Sequence, residues 1–153
     1  MAIEVVELTL PWSMEPGAPM PVLTSNGNSH LSVSYWEEDS DCQRRVFLRF
    51  PSCQQFTFGY PNDEALSGHP LYAFGLRYYG LFEVHGSDWE RRLRIQNQVS
   101  FPRSDLECPS VLRHFIVAFH DETLEALARG VEGVLVESNI SPKDDTKTDW
   151  TSF

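Results

Sequence analysis

The sequence predicts an α+β domain rich in strands, with a mostly antiparallel sheet and one or two short helices. Several stretches alternate apolar and polar residues with the period of two that marks half-buried strands, and turn-forming residues separate them. Only one stretch carries a strong signal for the start of a helix. The 153 residues, 41% of them hydrophobic and 12% aromatic, suffice for one domain whose core needs no disulfide or metal.

The first third of the chain is predicted to form strands. Residues 3–10 combine β-branched and apolar side chains and end at Pro11, which is typical of a strand and its stop. A tight-turn signal at 26–28, Asn-Gly-Asn, lies between two strand-like stretches and therefore predicts a hairpin. In its second arm, residues 31–36 alternate apolar and polar side chains, so we expect one face to be buried.

Further strands are predicted over 45–50, 56–60 and 75–85, where the same alternation recurs. The segment Ser87-Asp88-Trp89-Glu90 is a capping box. In this motif, the serine hydroxyl and a Glu three residues later satisfy free amides of the first helical turn reciprocally. It predicts a helix over about 88–98.

The most regular strand pattern covers residues 114–121, and two structures fit the stretch that follows. Apolar residues at i, i+3, i+4 and i+7 from Leu124 favour a helix over 122–130. A turn at 121–123 that leads into another strand is the competing interpretation. The sequence leaves this choice open.

The body of the chain is predicted to be a single globular domain over 1–140, because we find neither an internal repeat nor a second composition class. A short edge strand is expected over 134–136. The polar residues 141–153 are predicted to form a flexible C-terminal tail. Trp150 and Phe153 are unusual in such a tail, since both are large and apolar.

The excess of acidic residues, 22 against 12 basic ones, gives a formal net charge of −10 and excludes some functions. Nucleic-acid backbones bind chiefly to Lys and Arg, so no nucleic-acid partner is expected. The two lysines, Lys143 and Lys147, both lie in the predicted tail. The domain therefore offers no lysine for a phosphate loop or a Schiff base, and the sequence identifies no cofactor.

The sequence carries no recognisable targeting signal. The first seven residues include two Glu and no base, unlike a secretory or mitochondrial signal, and no apolar run approaches the ~18 residues that span a bilayer. The three cysteines form no C-x-x-C pair, which is typical of reduced thiols. We therefore expect a cytoplasmic protein without a membrane partner.

Most of the negative charge precedes the first arginine. Residues 1–43 contain seven acids and no base, and four of the acids follow the predicted hairpin: Glu37, Glu38, Asp39 and Asp41. A surface of this charge attracts and complements a positively charged partner. The first hypothesis is therefore a small acidic partner-binding protein without catalysis, of the inhibitor or immunity type, that engages a basic protein surface.

The densest group of polar side chains lies in residues 59–72, where two prolines and two glycines restrict the path of the loop. Binding residues concentrate in loops that rigid neighbours hold in place. The candidate binding residues in this loop are Asn62, Asp63, Glu64, His69 and Tyr72. A surface turn built on an Asx motif is the structural alternative.

The second hypothesis is a small enzyme or ligand-binding domain with a His–carboxylate site. If two of the predicted strands are neighbours, their ends could bring together four candidate catalytic residues: Glu83, His85, His120 and Asp121. Imidazole titrates near neutral pH and a carboxylate fixes its tautomer, which suits general acid–base catalysis. The set could hold a divalent metal, but the spacing matches no metal motif, so no metal ligand is assigned. Structural histidines at strand ends are the alternative, and the sequence does not decide whether the protein is an enzyme.

Overall fold

The computed structural model describes residues 2–26, 30–102, 112–137 and 149–153. The elements in these ranges are ten strands, one α-helix and two 3₁₀ helices, which confirms the predicted α+β class. In chain order the strands are β1 (Glu4–Leu8), β2 (Val22–Ser25), β3 (Leu31–Trp36), β4 (Arg44–Phe50), β5 (Gln55–Gly59), β6 (Gly80–His85), β7 (Arg113–Ala118), β8 (Thr123–Ala128), β9 (Glu132–Glu137) and β10 (Thr151–Ser152). The α-helix is α1 (Asp88–Ser100), and the 3₁₀ helices are Asp63–Gly68 and Tyr72–Phe74.

The strands form two antiparallel sheets of five. Sheet 1 has the order β1-β6-β7-β8-β5, and sheet 2 has the order β10-β9-β4-β3-β2. Their inner faces pack against each other, with the ring of Tyr35 in sheet 2 lying 5.5 Å from that of Phe119 at the end of β7. The alternation in the sequence causes this packing, because every second side chain of a strand points to the same face.

Sheet 1 is also covered on its outer face. Residues 62–76, which include both 3₁₀ helices and are called the 3₁₀ segment below, cover it. Leu66 and Leu76 of this segment pack on Val84, Ile116 and Ala118 of the sheet. As a result β7 is buried on both faces. This covering layer matters for function, because it builds one wall of the site described below.

The stretch after residue 121 is a strand, so the helix favoured over 122–130 is wrong and the competing hairpin is right. A turn in which the Phe119 amide donates to the Glu122 carbonyl oxygen joins β7 to β8. Both faces of β8 are buried, with Leu124 and Ala126 in the inner core and Leu127 buried on the outer side. A strand with two buried faces carries a nearly continuous apolar run, and such a run imitates helical spacing.

The capping box does begin a helix. Ser87 is the N-cap of α1, and its Oγ accepts a hydrogen bond from the Glu90 amide at 3.1 Å. Within the described ranges, no helix is both long enough and apolar enough to cross a membrane. The predicted hairpin is present as β2 and β3, while residues 27–29 of its turn lie outside the described residues.

The C-terminal end of the chain returns to sheet 2. Strand β10 pairs with the beginning of β9, at Gly133 and Glu132, whereas the predicted edge residues 134–136 pair with β4 on their other side. The Phe153 amide donates to Val131, and the Phe153 ring meets the Trp12 ring edge-on at 6.1 Å. Within the predicted flexible tail, 141–153, the last residues thus pair and pack with sheet 2 and its neighbours, whereas 138–148 lie outside the described residues.

The close packing around Gly133 provides a test of this arrangement. A Cβ at Gly133 would lie 2.9–3.0 Å from side-chain atoms of Trp12, Leu48 and Phe153, whereas a Cβ at Gly130 would meet nothing within 4 Å. We expect G133A to lower the free energy of unfolding by about 1–3 kcal/mol through overpacking. The matched variant G130A should change it by less than about 1 kcal/mol. Urea denaturation of both variants checks this, and equal losses would contradict the packing of the C-terminal end.

Candidate functional site

A groove of about 840 Å³ lies on the outer face of sheet 1. Its floor is formed by β5, β7 and β8, and its walls by the first turn of α1 and by the segment His69–Leu71 that follows the first 3₁₀ helix. Each wall depends on local sequence chemistry. The capping box fixes where α1 begins, and Pro70 restricts the backbone of the opposite wall.

The carboxylate of Glu125 lies at the floor of this groove. Its Oε2 is 3.0 Å from Nε2 of His69, and its Oε1 is 2.8 Å from Nε2 of His114. The side chains of His69 and His114 are only 9% and 4% exposed, whereas that of Glu125 is 20% exposed. The carboxylate is thus held by two buried imidazoles and still reaches solvent through the groove.

The remaining ring nitrogens determine which tautomers are present. The Leu71 amide donates to Nδ1 of His69 at 3.0 Å, so the ring hydrogen of His69 is on Nε2. Ser87 Oγ lies 2.8 Å from Nδ1 of His114. Because the Glu125 carboxylate at Nε2 can only accept, the ring hydrogen of neutral His114 is on Nε2, and Nδ1 accepts the hydroxyl hydrogen of Ser87. Neutral imidazoles protonated on Nε2 therefore satisfy every one of these bonds.

The two histidines also determine the charge of Glu125. Burial alone would raise the pKa of this carboxyl group, but the hydrogen bonds from His114 and His69 outweigh that effect and lower it to about 2. At neutral pH the floor of the groove consequently carries an anion.

Trp89 joins the helix wall to the sheet. Its ring meets the His114 ring edge-on at 5.2 Å, and its Nε1 donates to Oε1 of Gln55 at 2.8 Å. The lining also includes apolar side chains such as Leu71 and Ile3. The groove thus combines an aromatic and apolar wall with one fixed anionic acceptor, a combination typical of sites that bind organic ligands.

The predicted cluster of His85 and His120 does not form. Strands β6 and β7 are indeed neighbours, but they are antiparallel, with Val84 opposite His114 and Gly80 opposite Ala118. His85 therefore lies at one end of the sheet and His120 at the other, separated by roughly 20 Å at ~3.3 Å per residue. Among the described residues, no group of three or more His, Cys, Asp or Glu could hold a metal ion.

Glu83 has a closer partner than the expected His85. Its two carboxylate oxygens accept from Arg113 at 2.7 and 2.8 Å, while His85 Nε2 is 3.8 Å away. The hydrogen bonds from Arg113 lower the pKa of Glu83. Arg113 also donates to the carbonyl oxygen of Phe153, so this ion pair helps to hold the C-terminal end of the chain.

His120 and Asp121 join the 59–72 loop at the far end of the sheet. His120 Nδ1 is 2.9 Å from Asp121, and its Nε2 is 3.8 Å from Asp63, which also accepts a hydrogen bond from Tyr79. The hydrogen bond with Asp121 is the main cause that raises the pKa of His120. This small polar cluster is partly exposed and lies outside the groove.

Most of the other loop candidates have structural roles. The Asn62 side chain caps the first 3₁₀ helix by accepting from the Ala65 amide, as the Asx alternative predicts. The Tyr72 ring packs edge-on against Tyr78, and Glu64 is exposed. Of the candidate binding residues in the loop, only His69 lines the groove.

The acidic residues after β3 occupy a well-ordered turn. Ser40 Oγ donates to the Glu37 carbonyl oxygen at 2.9 Å, and Glu37 forms an ion pair with Arg44 at 2.8 Å. The carboxylates in this turn that are exposed are those of Glu38, Asp39 and Asp41. The first two acids of the chain, by contrast, lie on β1 in the other sheet, so the charge of residues 1–43 does not form one hairpin face.

Sequence reasoning missed the residue at the centre of the site. Glu125 interrupts an otherwise apolar strand, and a charge in a buried strand requires a partner. That pattern could have identified it, but the interpretation as a helix placed Glu125 on a different face from its true neighbours. Ser87 was recognised only as a helix cap.

Comparisons of this chain with protein-family models, with curated proteins and with solved structures gave no match. Its function must therefore be argued from the chemistry of the site.

The lowered pKa of Glu125 makes its contribution to stability dependent on pH. A folded-state pKa of about 2, below the usual 4.5, means that the ionised group stabilises the fold above pH 4.5 and that this effect is lost as the pH falls towards 2. The shift corresponds to about 3 kcal/mol. We expect the difference in unfolding free energy between wild type and E125Q to shrink by this order between pH 5 and 2, measured by urea denaturation at each pH. If the difference in unfolding free energy between wild type and E125Q did not change with pH, the lowered pKa of Glu125 would be contradicted.

Proposed function

We propose that this protein binds an organic ligand in the groove, and that the ligand presents a positively charged or hydrogen-bond-donating group to Glu125. The single observation that carries this proposal is an ionised carboxylate, four-fifths buried, that faces a groove with aromatic and apolar walls. Isolated buried charges are unfavourable, so a carboxylate kept in such a place is more typical of a binding site than of a core.

The hydrogen-bonding capacity of the carboxylate supports a ligand with donors. A carboxylate offers about four acceptor positions, and His69 and His114 fill two of them among the described residues. The charged groups among the described lining residues also include Asp88 and Arg92, of which Asp88 pairs with Arg91 at 2.8 Å. The deepest charge that a ligand meets is therefore negative.

The dimensions and rigidity of the groove also fit a ligand site. Its volume lies within the roughly 300–1,000 Å³ typical of small-molecule sites. His69, His114, Ser87 and Trp89 are each held by at least one hydrogen bond to another element. Such a preformed site loses little conformational entropy when a ligand binds.

A matched pair of probes tests this proposal. Benzamidine and benzoate are flat aromatic molecules of similar size and opposite charge. We expect benzamidine to shift the NMR resonances of the Trp89 indole and the Leu71 amide with a dissociation constant of about 1 mM, as its few atoms allow. Benzoate should not do so.

Variants locate the binding. E125Q keeps the shape of the side chain and removes its charge, so it should lower the affinity for benzamidine about tenfold or more. E64Q, which changes an exposed carboxylate outside the groove, should leave binding unchanged. Equal binding of the two probes, or no effect of E125Q, would contradict the proposal.

The ordered acidic turn supports a second candidate function, the binding of a basic protein partner. Glu38, Asp39 and Asp41 project from a turn that Ser40 fixes through its side-chain hydrogen bond, and Glu15 lies nearby through the backbone bridge between Met14 and Glu37. A fixed cluster of exposed acids accelerates association with a positively charged surface.

A lysine decapeptide serves as the probe for this second function. We expect its affinity for the wild type to fall at least tenfold between 50 and 500 mM NaCl, because the Debye length shortens over this range. The triple variant E38K/D39K/D41K should lose binding, whereas E4K/E7K, which alters the acids of the other sheet, should retain most of it. Isothermal titration calorimetry measures both effects, and similar losses in the two variants would argue against a site at the turn.

A further inference from the structure

We propose that Ser87, His114 and Glu125 form a nucleophile–base–carboxylate relay, and that the groove supports acyl transfer from small esters. This inference rests on the proposed function in one respect, since the substrate would occupy the same groove. It adds a chemical reaction to what would otherwise be a binding site.

The relay is continuous. Ser87 Oγ is 2.8 Å from Nδ1 of His114, and Nε2 of the same ring is 2.8 Å from Oε1 of Glu125. The carboxylate keeps the ring hydrogen on Nε2, which leaves Nδ1 free to accept the hydroxyl proton of the serine. Nucleophile, base and orienting group are all within hydrogen-bond reach, as general-base activation of a hydroxyl requires.

Ser87 also lies where negative charge is stabilised. It is the N-cap of the thirteen-residue helix α1, and it lines both the groove and an adjoining cavity of about 300 Å³. The first amides of a helix have no acceptors within the helix, and the helix dipole places partial positive charge there. The amides of Asp88 and Trp89 are therefore suited to stabilise the oxyanion that forms when a carbonyl is attacked.

The reaction balances without a further reactant except water. Ser87 Oγ bonds to the ester carbonyl carbon while its proton passes to Nδ1 of His114. The hydrogen on Nε2 of His114 stays on that nitrogen and remains hydrogen-bonded to Glu125. The tetrahedral intermediate collapses, the bond from the carbonyl carbon to the alkoxy oxygen breaks, and the alcohol leaves with the proton from Nδ1. Water then attacks the acylated serine by the same proton route, which releases the carboxylic acid and restores Ser87.

Helix capping accounts for only part of this arrangement. A cap needs Ser87 Oγ as an acceptor for the Glu90 amide, and that bond is present at 3.1 Å. Helix capping does not require a buried histidine that accepts the hydroxyl hydrogen of Ser87. Nor does it require a carboxylate bonded to the other ring nitrogen of that histidine. His69, as a second donor to Glu125, further fixes the carboxylate that orients the base.

The test uses the full chain and a fluorophosphonate probe, which forms a covalent adduct with activated serines. We expect mass spectrometry to locate the adduct on Ser87, with no adduct on the exposed Ser67. H114Q keeps an amide donor toward Glu125 but lacks a base, so it should slow labelling about 100-fold or more. S67A should label at the wild-type rate.

A second measurement follows p-nitrophenyl acetate hydrolysis, which should rise above the buffer rate in the wild type and return to it in S87N. Asn is also a good helix cap, so S87N should keep the circular dichroism of the wild type. Absence of an adduct on Ser87, or an unchanged labelling rate in H114Q, would overturn the relay. If benzamidine still binds in that case, the proposed binding function survives, whereas labelling without benzamidine binding would overturn the binding function alone.

Discussion

The arrangement of this protein around its groove depends on one buried carboxylate that accepts hydrogen bonds from two imidazoles. Glu125 belongs to β8, His114 to β7 and His69 to the 3₁₀ segment, so a single anion connects sheet 1 to the 3₁₀ segment that covers it. Through His114 the same network reaches Ser87 and the first turn of α1. The removal of either histidine would leave the buried charge with too few hydrogen-bond donors, which is unfavourable. The two hydrogen bonds therefore stabilise the relative positions of β7, β8 and the 3₁₀ segment.

The groove exists because the outer face of sheet 1 is covered incompletely. The 3₁₀ segment covers the end of the sheet that holds Ala118, α1 approaches the end that holds His114, and the space between them remains open. Polar side chains in that gap have partial access to solvent, so an ionised carboxylate is tolerated there although its neighbours are apolar. On the inner face of the same sheet, Glu83 lies opposite Phe115 and is about as buried as Glu125, but there Arg113 neutralises the charge.

The two proposed functions use different surfaces. The groove lies on the outer face of sheet 1, whereas the acidic turn joins β3 to β4 in sheet 2. Each can be altered without substitution of residues in the other, and the two differ in physical character. Binding in the groove would depend on a desolvated charge and respond weakly to salt, while binding at the exposed turn would be strongly screened.

The sequence by itself determined the class of fold, most strands and the start of the helix, because alternation and capping act between residues close in the chain. It also determined where the acidic turn lies. Only the tertiary structure decided which strands are neighbours and in which direction they run. The antiparallel pairing of β6 with β7 separates His85 from His120, and the covering layer brings His69 to Glu125, 56 positions further along the chain. A period of two identifies the face of a strand on which a residue lies but not its partner across space. The sequence could therefore single out Glu125 as a charge in an apolar stretch, but not its pairing with His69 and His114.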